Sequence, residues 1–167
     1  MVFEHIDEKE AVKRAALIEI NGFRFYNLLA ERTESRDAKA VFKKLAEDER
    51  KHLKIIENKF YPEAGFNEQI TEEELQIEEY VEHTGAADIF TRRINIEALL
   101  KIVDTTKKAL NVALDTERHS VKYFEELGRK TSAIEARKIY NELAEEEKAH
   151  VSEIEALMNS DGAAWKK

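Results

Sequence analysis

Four stretches of the chain repeat apolar residues with the period of about 3.6 that places them on one face of a helix. Asp7 with Glu10, and Ser132 with Glu135, have the spacing of a capping box and mark predicted helix starts, and Gly128 marks a predicted helix end. The pattern predicts helices at about 8–33, 37–60, 95–128 and 132–158. We therefore expect an all-α protein.

A long connection joins the second and third predicted helices. Pro62 and Gly65 mark its beginning, and Thr71 with Glu74 predict a short helix within it, at about 72–83. A bundle whose second and third helices are parallel needs a long crossover that returns the chain along the bundle. The prediction is an antiparallel four-helix bundle forming a single domain over 1–167, with a hairpin at 8–60, a crossover at 61–94, a second hairpin at 95–158 and a tail at 159–167.

The two hairpins resemble each other at an offset of 98 residues. The most similar segments are LAEDERKH at 45–52 and LAEEEKAH at 143–150, and each contains a Glu-x-x-His motif. At the same offset Val12 corresponds to Leu110 and Val41 to Ile139. The chain is therefore interpreted as a duplicated helical hairpin, with a pseudo-two-fold axis between the copies.

A glutamate interrupts the apolar face of each predicted helix, and two of these glutamates are followed three residues later by a histidine. A glutamate that faces solvent is not expected on the apolar face of a helix. Residues three apart in a helix lie on the same side, so each histidine is next to its glutamate. Four carboxylates in a low-dielectric core need cations or protons to compensate them. We interpret the six residues as metal ligands: Glu19, Glu49, His52, Glu117, Glu147 and His150.

Six ligands are too many for one ordinary site, so two metal ions are expected. By position in the repeat, Glu19 and His52 would bind one ion, Glu117 and His150 the other, and the remaining two glutamates would bridge. Oxygen and nitrogen donors without thiolate favour Fe or Mn as the two ions. Asp48 lies beside the apolar face and is a candidate hydrogen-bond partner for a ligand imidazole, although an exposed surface aspartate is the alternative.

The composition narrows the partners and the location. A net charge of -8 without a basic patch argues against nucleic acid or an anionic membrane as a partner. Because the chain has no cysteine, an external electron donor is expected for any redox reaction. The N-terminus does not have the pattern of an export signal, and no run of 18 apolar residues follows, so a cytoplasmic location is the expectation.

The spacing of these ligands resembles that of the ferritin-like di-iron carboxylate proteins, and within them the rubrerythrin type without its rubredoxin domain. The resemblance implies a ferritin-like bundle whose di-iron site oxidises ferrous iron with O2 or reduces H2O2, a role in oxidative stress. It also implies that Tyr26 hydrogen-bonds near the site, whereas the repeat has Phe124 at the equivalent position. Rubrerythrins have a further glutamate three residues after the third-helix ligand, and here that residue is Ser120.

Three functions stay open at this point. The first is a di-iron oxidoreductase, the second an iron-binding or storage protein, and the third a structural helical bundle without metal turnover. We also expect a homodimer, either with or without domain swapping, because Phe66, Ile89 and Phe90 in the crossover need to be covered.

Overall fold

The computed structural model of the protein describes residues 8–64, 90, 95–103 and 105–160. Within these ranges it contains no strand and five α-helices, which are α1 (Glu8–Arg32), α2 (Arg36–Ala64), α3 (Ile96–Ile102), α4 (Thr106–Lys130) and α5 (Ile134–Asn159). α1 packs against α2 and α4 against α5, and the two antiparallel hairpins form a four-helix bundle in which α3 contacts α1. The all-α ferritin-like fold expected from the sequence is confirmed.

Buried apolar side chains form two large clusters along the bundle. One contains Phe25 of α1, Phe42 of α2 and Leu157 of α5, whereas the other contains Phe60 of α2 and Phe124 of α4. Along each long helix the interrupting glutamate falls between the residues of one cluster and those of the other. The polar centre of the bundle is therefore enclosed by apolar side chains at both ends.

The duplication seen in the sequence is repeated in aromatic contacts. Tyr26 stacks on Phe42 with ring centroids 6.3 Å apart, and Phe124 stacks on Tyr140 with centroids 6.5 Å apart. Position 26 corresponds to 124 and position 42 to 140 at the same 98-residue offset. The two hairpins thus pack their equivalent rings alike, although the hydroxyl group is on a different ring in each.

The third predicted helix is divided in two. It begins where expected, because the side chain of Asn95 accepts a hydrogen bond from the Ala98 amide and caps α3. The helix then stops at Ile102, and Thr105 caps α4 by accepting from the Lys108 amide. This break lies in a stretch rich in β-branched residues, which have reduced helix propensity, and the capping threonine favours a new start.

Three predicted helix ends are wrong. Pro62 does not end α2, which continues for two residues beyond it to Ala64. The hydrogen bond and the steric contact that a proline disturbs lie here in the last turns of the helix, and Tyr61 before it is buried. Gly128 does not end α4; an added Cβ there would lie 2.5 Å from Oδ1 of Asn141, so this glycine leaves room for the Asn141 side chain of α5. Ser132 does not cap α5, whose N-cap is Ala133 without a side-chain hydrogen bond.

Most of the crossover, including the predicted helix at 72–83, lies outside the described residues, as do Asp7 and the tail beyond Ser160. Phe90 is described, and the expectation that it needs additional cover is wrong. Its ring packs edge-on against Phe25, and its carbonyl oxygen accepts a hydrogen bond from Asn21 of α1. Among the described residues, no helix is both long enough and apolar enough to cross a membrane.

Candidate metal centre

The structure brings together all six residues that the sequence predicts as metal ligands. They come from all four long helices and meet between the two apolar clusters, and each is at least 97% buried. They divide into two overlapping groups, in each of which one potential ligand atom per residue lies within 4.8 Å of the others. The groups are Glu19, Glu49, His52 and Glu147, and Glu49, Glu117, Glu147 and His150.

Glu49 and Glu147 belong to both groups, and each directs one carboxylate oxygen toward each imidazole. Nδ1 of His52 lies 3.6 Å from Oε2 of Glu49 and 2.9 Å from Oε1 of Glu147. Nδ1 of His150 lies 3.5 Å from Oε1 of Glu49 and 3.2 Å from Oε2 of Glu147. These two carboxylates are therefore placed between the groups, where bridging ligands would be expected.

The other two glutamates each face one histidine. Oε2 of Glu19 lies 3.3 Å from Nδ1 of His52, and Oε2 of Glu117 lies 3.5 Å from Nδ1 of His150. The imidazole rings themselves stack with centroids 5.5 Å apart. The contacts follow the pairing of Glu19 with His52 and of Glu117 with His150 proposed from the sequence.

Several buried polar atoms of the cluster lack a hydrogen bond. They are Oε1 and Oε2 of Glu19, Oε2 of Glu49, Nδ1 of His52, Oε2 of Glu117 and Oε1 of Glu147. A buried polar atom without a partner costs about 1–3 kcal/mol, and more when it is charged. Because metal ions would satisfy carboxylate oxygens and an imidazole nitrogen together, the residues fit a metal centre.

The pKa values of the clustered glutamates and histidines are shifted by burial and by one another's charges. Burial and the nearby charges of Glu49 and Glu147 raise the pKa of Glu19 well above its usual range. Burial and the charge of Glu147 also raise the pKa of Glu117 to about 7. Burial disfavours the charged form of His52, but the charge of Glu19 and the hydrogen bond to Glu146 outweigh burial and raise the pKa of this imidazole. Without cations, protons would therefore have to compensate these carboxylates.

A carboxylate from the opposite hairpin faces the outer nitrogen of each imidazole. Nε2 of His52 donates a hydrogen bond of 2.6 Å to Oε2 of Glu146, and this bond lowers the pKa of Glu146 below its usual range. Nε2 of His150 lies 3.5 Å from Oδ2 of Asp48. Sequence reasoning singled out Asp48 but missed Glu146, although Glu146 is its equivalent at the 98-residue offset.

Tyr26 and Ser120 lie on the helices around the centre. The hydroxyl of Tyr26 on α1 donates a hydrogen bond to Oε1 of Glu117 on α4, so it contacts the centre from the opposite hairpin. Ser120 is buried, and its hydroxyl donates to the Thr116 carbonyl oxygen at 3.0 Å.

The fold and the cluster together define a class: a ferritin-like helical bundle with a buried carboxylate and histidine cluster able to hold metal. The model of the rubrerythrin family matches residues 10–158, which include the four long helices except for the first two residues of α1 and the last residue of α5. The chain belongs to the rubrerythrin family. No curated protein and no solved structure matches it.

Proposed function

We propose that the protein is a non-haem di-iron oxidoreductase that oxidises ferrous iron with O2 or reduces hydrogen peroxide. The observation that carries this proposal is the position of Glu49 and Glu147, which belong to both groups of potential ligands. Two groups joined by two shared carboxylates fit a pair of ions better than one ion. Membership of the rubrerythrin family supports iron as the metal.

The charges of the cluster also support a pair of divalent cations. Four ionised glutamates carry four negative charges, which two divalent ions would balance without any proton on the carboxylates. Nδ1 of His52 and Nδ1 of His150 face the carboxylates, while the Nε2 atoms face outward. Neutral imidazoles that bind through Nδ1 would therefore keep a proton on Nε2. This N–H group could donate a hydrogen bond to Glu146 in the case of His52 and to Asp48 in the case of His150.

When bound, a pair of ferrous ions can supply two electrons to O2 or to hydrogen peroxide. The protein residues would hold and enclose this centre. The apolar clusters restrict water at both ends of the bundle, and the Tyr26 hydroxyl holds one oxygen of Glu117. An external donor would return the electrons, since the chain has no cysteine for an iron–sulfur or rubredoxin centre.

Anaerobic titration of metal-depleted protein with ferrous iron, followed by metal analysis, tests the centre. We expect two iron ions per chain. Protein in which both Glu49 and Glu147 are replaced by glutamine serves as the comparison and should retain neither ion. A wild-type protein that binds no metal would leave a structural helical bundle as the better description.

Addition of O2 or hydrogen peroxide to the ferrous protein tests the reaction. Repeated consumption of peroxide with a reductant present, while the bound iron stays near two ions per chain, would support the oxidoreductase. Iron that instead accumulates well above two ions per chain as O2 is consumed would favour the alternative of an iron-storage protein.

A further inference from the structure

We infer that the two metal positions are inequivalent and that the position of Glu19 and His52 binds its ion more tightly and fills first. The cause lies in two residues outside the ligand set, Glu146 and Tyr26. This inference deepens the proposed function, because it assumes that the cluster binds two ions. The duplicated sequence alone predicts two similar positions, so the difference comes from contacts that the duplication does not preserve.

The first contact that differs is the one at the outer nitrogen of each imidazole. Glu146 accepts a hydrogen bond of 2.6 Å from His52, and no lysine or arginine forms an ion pair with it in the described part of the chain. Asp48 lies 3.5 Å from His150 and accepts a hydrogen bond of 2.9 Å from Lys44, with Lys51 at 3.6 Å. A carboxylate that accepts from a ligand imidazole orients the ring and increases its basicity. His52 therefore has the stronger support.

The second contact that differs is at the glutamate that faces only one histidine. Both carboxylate oxygens of Glu19 are buried and without a hydrogen bond, so both are available to an ion. Oε1 of Glu117 accepts the hydrogen bond from Tyr26, which leaves Oε2 as its free oxygen. The equivalent of Tyr26 in the repeat is Phe124, which has no hydroxyl to donate to Glu19. The two differences therefore act in the same direction.

Both residues act through a ligand rather than on the ion itself, and we regard them as positioning residues. Glu146 is well placed for a test because its side chain is 58% exposed, so that its replacement leaves no cavity in the core. Glu142 lies one turn earlier on the same helix, carries the same charge and has a side chain that is 62% exposed. It offers a matched control for the loss of one surface charge.

Metal-depleted protein titrated with cobalt(II), followed by its visible absorption and by calorimetry, measures the two binding steps. For the wild type we expect two resolved steps. Anomalous scattering from crystals grown with one equivalent of cobalt(II) should place that ion beside Glu19 and His52. Glu146→Ala should weaken the first step by about 10- to 100-fold, whereas Glu142→Ala should leave both steps unchanged. Tyr26→Phe, which frees Oε1 of Glu117, should strengthen the second step.

The outcomes separate this inference from the proposed function. Protein that binds no cobalt(II) would overturn both. Two ions bound in equal steps, or a first ion found beside Glu117 and His150, would overturn the inequivalence and leave the dinuclear centre standing. A Glu146→Ala protein that keeps the wild-type first step, with its melting temperature unchanged, would show that Glu146 does not support His52.

Discussion

Gly22 of α1 lies directly against the carboxyl group of Glu49 on α2. A Cβ added at Gly22 would lie 3.2 Å from Cδ and 3.3 Å from Oε1 of Glu49, closer than ordinary van der Waals contact. The glycine is one turn after Glu19, where a larger side chain would enter the space that the Glu49 carboxyl occupies. The absence of a side chain here therefore positions a carboxylate shared by both metal positions.

We expect Gly22→Ala to weaken the binding of both metal ions while changing the stability of the metal-free protein little. Alanine in a helix interior gains about 1 kcal/mol over glycine, which would offset part of the cost of moving Glu49. Gly128→Ala is the matched control, because its added Cβ would meet Asn141 outside the metal centre. Calorimetric metal titrations and urea unfolding of both variants would measure the two effects. Metal affinity lowered equally in both variants would contradict this role of Gly22.

Replacement of a shared carboxylate should affect both metal positions, whereas replacement of a histidine should affect mainly one. We expect Glu49→Gln or Glu147→Gln to reduce the bound metal to less than one ion per chain, because each residue belongs to both groups. His52→Ala should retain one ion, held by Glu117 and His150. Metal analysis after gel filtration measures the difference. Equal and slight losses from all three changes would mean that these residues are not ligands.

The sequence was sufficient to predict the fold and the residues that meet in the centre, because helical periodicity fixes which face each residue occupies. The repeat then made a chance explanation of two Glu-x-x-His motifs difficult. Periodicity does not determine which side chain of a neighbouring helix faces the outer nitrogen of an imidazole, and Glu146 was missed for that reason. The division of α3 from α4 depends on the side chain of Thr105, which caps α4. The apolar pattern continues across this break and therefore does not predict it.

The protein is expected to be a homodimer. Phe90 no longer supports this prediction, because it packs against Phe25 of its own chain. The prediction now depends on Phe66 and Ile89, apolar crossover residues that lie outside the described part of the chain. Light scattering coupled to gel filtration at micromolar concentration measures the mass, and a monomer there would contradict the prediction.

Mixed dimers would show whether the hairpins exchange between chains. One chain would carry Glu19→Ala and His52→Ala, and the other Glu117→Ala and His150→Ala, so that each has one intact hairpin. If the hairpins swap, half of the sites in a mixed dimer combine the two intact hairpins and recover metal binding. We expect no recovery, because Tyr26 and Glu117, or His52 and Glu147, make their contacts between hairpins of one chain. Recovered binding would establish a swapped dimer.

Without metal, the protein should be less stable at pH 7 than near pH 5. Burial and Glu147 raise the pKa of Glu117 from 4.5 to about 7, and burial with Glu49 and Glu147 raises that of Glu19. A raised folded-state pKa contributes stability that is complete below the unfolded value and is lost as the pH rises through the folded value. For Glu117 alone this loss is roughly 3 kcal/mol between pH 4.5 and 7. The raised pKa values of His52 and His150 extend the decline above pH 6.5.

Divalent metal should reverse this dependence, because cations replace the protons that compensate the carboxylates. Binding to the folded state alone adds about 2.7 kcal/mol when free metal is 100 times its Kd. For a domain of this size that corresponds to a rise of roughly 5–10 °C in melting temperature. We expect ferrous or manganous ion to give this rise at pH 7 and a smaller one at pH 5, where protons compete for carboxylate and imidazole. Glu142→Ala should respond as the wild type does, and the protein with Glu49 and Glu147 both replaced by glutamine should not respond. If neither metal nor chelator changes the melting temperature of the wild type at either pH, the six residues do not form a common metal centre.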